Sequence, residues 1–149
     1  MTIPLHQVVR AYINASGIAG AELIASPSYP SANFGDSEVI FRIRAILVRF
    51  IRDRGQEFVD LAFNSAPSLF YQFDDVAVAM GWTTLPALLR RSEPAPIGPV
   101  VDQLANNLCL LEEAFSDAHQ GSTRAKFEKA AHEREQAIMD SLRRRRGGE

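Results

Sequence analysis

The sequence predicts an α+β fold: a small antiparallel β-meander of about three strands packed against several helices, with a helical C-terminal half. Three observations lead there. Residues 46–63, ILVRFIRDRGQEFVDLAF, alternate with period two around a turn. Residues 38–44, EVIFRIR, repeat that alternation just upstream. Further on, Val101, Leu104, Leu108, Leu111 and Phe115 recur instead at spacings of three and four. A run of strands followed by a run of helices is the mark of α+β rather than α/β.

In chain order, Leu5, Val8, Val9, Tyr12 and Ile13 stand at helical spacing, and Ser16-Gly17 can end that helix. Residues 21–25 are a short apolar run, readable as helix continuation or strand. Residues 26–36, SPSYPSANFGD, carry Pro27, Pro30 and Gly35 and read as a loop into the sheet. Tyr29 and Phe34 could anchor a partner there or simply tuck onto the core. In residues 38–44, Val39, Phe41 and Ile43 point one way, and Ile40, Arg42 and Arg44 the other. One helix over 38–52 competes with this reading, but the density of Ile, Val and Phe favours strand. The bend that follows falls near Arg44-Ala45.

Next, Ile46, Val48 and Phe50 alternate with Leu47, Arg49 and Ile51, and Phe58, Asp60 and Ala62 with Val59, Leu61 and Phe63. Between them Asp53-Arg54-Gly55 suits a three-residue hairpin loop, with Gly55 in the left-handed position because it lacks a Cβ. Residues 64–67 form a loop, and 68–73 a short strand or turn. Asp74 or Asp75 can cap a helix over 76–80 that stops at Gly81, and Thr83 or Thr84 another over 85–91 with Pro86 in its first turn. Pro94, Pro96 and Pro99 then break the chain. A helix over about 99–118 carries Val101, Leu104, Leu108, Leu111 and Phe115 on one stripe. A last helix, 123 to about 145, has a thin stripe of Phe127, Ala130, Ala131, Ile138 and Leu142.

The 149 residues suit a single domain, with 143–149, RRRRGGE, a flexible basic tail. Cys109 alone excludes an internal disulfide framework and a multi-cysteine zinc site, and its apolar surroundings suggest a core or boundary position. The start lacks the basic-then-apolar pattern of a secretory signal, and no run approaches the ~18 consecutive apolar residues of a membrane span. A cytoplasmic location without membrane contact is therefore expected. The net charge of −2 conceals an asymmetry: residues 1–142 hold 12 basic and 17 acidic residues, net −5. An acidic body disfavours non-specific nucleic-acid binding and favours a basic partner.

No catalytic motif emerges. His6, His119 and His132 stand outside H-E-x-x-H spacing, and neither a G-x-S-x-G elbow nor a phosphate-binding glycine loop occurs. Nothing calls for a cofactor or a metal. Adjacent carboxylates such as Asp74-Asp75 and Glu112-Glu113 diverge by roughly 100° on a helix, so neither pair is by itself a site. Arg143 to Arg146 could touch nucleic acid, or simply complement the negative end of a helix.

FGDSEV, VRFIRDRGQEFVD and FYQFDDVAVAMGW, followed by the helical tail, resemble the small bacterial immunity proteins that accompany polymorphic toxins, including those of contact-dependent growth inhibition. The resemblance spans roughly residues 34–145 and is most specific at Asp53-Arg54-Gly55-Gln56 with Phe58-Val59-Asp60. It implies a non-enzymatic inhibitor whose partner is the C-terminal domain of a cognate toxin, often a nuclease. The toxin's cationic groove would meet acidic residues, for which the candidates are Glu57, Asp60, Asp74, Asp75, Glu112, Glu113 and Asp117. Two rivals stay open: a nucleic-acid-binding regulator using the arginine tail with Arg42, Arg44 and Arg49, and an enzyme assembled from residues such as His119, Glu113 and Asp74.

Overall fold

A computed structural model describes residues 3–26, 37–91 and 93–147. The expected loop anchors Tyr29 and Phe34 lie outside them. The architecture is α+β with a helical C-terminal half, and the sheet has five antiparallel strands in sequential order rather than about three. The strands are β1 (Glu22–Ala25), β2 (Ser37–Ile43), β3 (Ile46–Asp53), β4 (Gln56–Phe63) and β5 (Phe70–Gln72). The two extra strands are the short edges.

The centre follows from alternation. Val39, Phe41 and Ile43 of β2, Ile46, Val48 and Phe50 of β3, and Val59, Leu61 and Phe63 of β4 line one face, and all are buried. A shift of one residue would turn this whole set outward, which is what fixes the register. The first internal turn falls where the sequence places it, and the second is tighter than the sequence suggests. Ile43 pairs with Ile46 across Arg44-Ala45, with Arg44 at φ 59°. Asp53 pairs with Gln56, so the loop is the two residues Arg54-Gly55 and not three. Arg54 and Gly55 have φ 52° and 80°, the left-handed pair of a type I′ turn, whose twist matches that of the flanking strands.

Helices cover the buried face. Helix α1 (Leu5–Ser16) sets Leu5, Val9 and Ile13 into the core and ends on Gly17 at φ 82°. Helix α2 (Phe73–Ala79) starts directly after β5, and neither Asp74 nor Asp75 caps it; both sit in its first turn. In α3 (Leu85–Leu89), Thr84 does cap, accepting the Ala87 N–H at 3.3 Å.

The helix expected over 99–118 is two: α4 (Ile97–Asn106) and α5 (Leu108–Ala114). Asn107 leaves helical geometry at φ −120°, and its side-chain amide donates to Gln103 O at 2.9 Å. Such local side-chain bonding competes with the helix ladder. Val101, Leu104, Leu111 and Phe115 are buried across the break. Cys109 is exposed, not a core residue.

Helix α6 (Gln120–Gly147) is 28 residues, about 42 Å long. Its Phe127 is fully enclosed by Phe63, Tyr71 and Phe115, and the Thr123 hydroxyl donates to Ala114 O at 2.6 Å. Arg143 to Arg146 continue this helix, exposed.

Candidate partner-binding site

The other face of the sheet is mixed in character. Arg49 of β3 lies opposite Asp60 of β4, and the register brings them into a two-pronged bond: Nη2 and Nε donate to Asp60 Oδ2 at 2.7 and 3.2 Å. Glu38 of β2 stands 3.7 Å from the same guanidinium. The guanidinium also lies 4.1 Å above the Phe70 ring, a cation–π contact. Burial raises the Asp60 carboxyl above its usual range. The Arg49 bond and charge oppose that, while the charges of Glu38 and Asp75 reinforce it.

Beside this cluster lies a cavity of about 350 Å³. Its walls include Ile51, Phe58, Phe70 and Phe73, with Arg49, Asp60, Gln72 and Asp74 as its polar groups. Among the described residues, no hydroxyl, thiol, imidazole or amine side chain lines it. Such a cleft can hold an apolar body and orient it by one ion pair.

A second group of carboxylates ties helices together. Asp75 on α2 is buried, and Arg134 of α6 donates to both its oxygens at 2.9 and 3.2 Å. That bond holds the Arg134 guanidinium above its ordinary pKa. Asp74, next in sequence, turns to Arg91 at 2.6 Å. Glu57 accepts the backbone N–H of Ile97 at 3.0 Å, which satisfies an otherwise unpaired donor at the start of α4 and sets a negative charge at its positive end. Arg44, in the turn after β2, pairs with Glu112 of α5 at 3.1 Å.

The seven acidic candidates therefore separate. Glu57, Asp60, Asp74, Asp75 and Glu112 are engaged inside the fold. Glu113 and Asp117 are exposed, and no ion pair holds them among the described residues. Glu113 is on the outer side of α5, and Asp117 in the turn that follows. Leu110, 54% exposed, lies one turn before Glu113, while Leu111 and Phe115 pin the inner side to the core. Of the residues of the enzyme reading, Glu113 and His119 are local neighbours, the Ser116 hydroxyl donating to Glu113 O at 2.7 Å and facing the His119 ring at 3.1 Å, while Asp74 is on α2, paired with Arg91. No group of three or more His, Cys, Asp or Glu residues suited to a metal occurs among the described residues. None of the helices of the described residues is long and apolar enough to cross a membrane.

Sequence reasoning missed the Arg49–Asp60–Phe70 cluster. One signal was present: a hairpin centred on Arg54-Gly55 puts residues 49 and 60 opposite each other. Comparisons of the chain with protein-family models, curated proteins and solved structures give no match.

Proposed function

We propose that the chain is a non-enzymatic immunity protein that binds and neutralises the C-terminal domain of a cognate bacterial toxin, a nuclease, in the cytoplasm. The observation that carries this reading is the outer side of α5 and its following turn. Leu110 offers an apolar anchor, and Glu113 and Asp117 follow it with charge that no ion pair among the described residues consumes. The inner side of the same element is locked by Leu111 and Phe115, so the exposed side is presented rigidly. Preorganised surfaces lose less entropy on binding. A nuclease carries a cationic groove for its substrate, and exposed carboxylates both complement that groove and speed encounter. The resemblance to immunity proteins points the same way.

Co-purification with the product encoded immediately upstream tests the reading. A tight 1:1 complex is expected, weakened about tenfold or more by Glu113→Lys with Asp117→Lys, with a shallower salt dependence. An affinity unchanged by the charge reversals would remove the acidic surface from the interface.

One observation favours a second reading, a nucleic-acid-binding regulator: Arg143 to Arg146 are exposed around the end of α6. Four phosphate contacts would give a log–log salt slope of about −3 to −4, abolished by deleting residues 143–149. A flat salt response would dismiss this reading.

A further inference from the structure

The body holds α6 through Thr123, Phe127, Ala130 and Arg134. Beyond Arg134 the helix runs on for another 13 residues to Gly147, and most of their side chains are exposed. Within that stretch Glu135, Met139, Leu142 and Arg146 follow one another at spacings of four, three and four, which puts them on one stripe about 60° wide. All four are exposed, Met139 at 48% and Leu142 at 45%. Beside them Ile138, 42% exposed, borders a shallow hollow with Leu88, Leu89 and Pro94.

The stripe has an acidic end, an apolar middle and a basic end. Its symmetry is the informative feature. Glu135 lies as far before the midpoint of Met139 and Leu142 as Arg146 lies after it. Turned end over end on a twofold axis, the stripe complements itself. Each Met139 then meets the other Leu142, and each Glu135 meets the other Arg146. A twofold interface requires this self-complementarity of one patch.

We propose that this stripe of α6 is a dimerisation seam, pairing antiparallel with the same stripe of a second copy of the chain. A polyanion would use the arginines but be repelled by Glu135 on the same line. An apolar lipid surface would have to bury both Glu135 and Arg146. Only a partner with the reversed pattern satisfies all four positions, and the chain itself supplies one. With about three helical turns on each side, the seam falls at the small end of specific interfaces, so the dimer is concentration-dependent and salt-sensitive.

Sedimentation equilibrium of the full chain, across micromolar concentrations and at two salt levels, tests this. A monomer–dimer equilibrium is expected. Glu135→Arg and Arg146→Glu should each raise its dissociation constant about tenfold, because two ion pairs per dimer turn repulsive. Combining the two reversals should restore the dimer, since the charges at positions 135 and 146 are then exchanged and again opposite across the seam. Loss of helix would not produce that rescue. Met139→Ser, at an exposed position, should weaken dimerisation without altering the circular dichroism spectrum. A chain monomeric throughout, a dimer indifferent to both single reversals, or a double reversal no stronger than the singles would each overturn the proposal.

Discussion

At the scale of single residues, backbone geometry and buried charge decide the outcome. Gly55 sits at φ 80° with nothing within reach of an added Cβ, so its constraint is conformational and not steric crowding by neighbours. Gly55→Val should cost about 1–2 kcal/mol, the penalty of forcing a β-branched residue into the left-handed region, measurable by urea denaturation. Asp60 is a case of opposite sign from the usual paired carboxylate. Its folded pKa is raised, so near and above its unfolded value of 3.8 the folded chain binds more protons than the unfolded one. Its contribution to stability is complete below that value and declines as pH rises through the folded pKa. The stability of the native chain relative to Asp60→Asn should therefore fall as pH is raised from 3.8 into the mildly acidic range. A difference that grew with pH would mean that the Arg49 pair outweighs burial.

At the scale of elements, the central hairpin and β2 were legible because period-two alternation names both the strand and its buried face. The edges were only half legible, read as helix continuation or strand at 21–25 and as strand or turn at 68–73, because β1 has four residues and β5 three, too few to establish a period. The division between α4 and α5 was hidden for a different reason. The apolar spacing runs through Asn107 unbroken, and the interruption shows only in its non-helical backbone and its amide bond to Gln103 O. Of the acidic candidates, the sequence supplied the carboxylates but not their partners. Arg91 is 17 residues from Asp74, and Arg134 is 59 from Asp75, so only the fold unites them. The second of these pairs fastens α6 to α2. With Asp75 at 3% and Arg134 at 18% side-chain exposure, Asp75→Ala leaves a largely enclosed guanidinium unpaired. It should destabilise the chain by about 3 kcal/mol, read as a drop in the midpoint of thermal or urea unfolding. Replacing both residues by apolar side chains of similar size should recover much of that loss.

At the scale of the whole molecule, one core draws together residues from Leu5 in α1 to Phe127 in α6, and most acidic candidates are consumed in holding that assembly. Of the seven acidic candidates, Glu113 and Asp117 remain exposed, close in sequence to the exposed Leu110, and none of the three lines the polar cavity beside Arg49. The proposal that stands to be tested is that this body occupies a toxin. Growth of cells expressing the upstream-encoded toxin domain, with and without this chain, tests it most directly. The account predicts full growth with the native chain and impaired rescue with Glu113→Lys and Asp117→Lys combined. Arrest that persists with well-folded native chain present would contradict it.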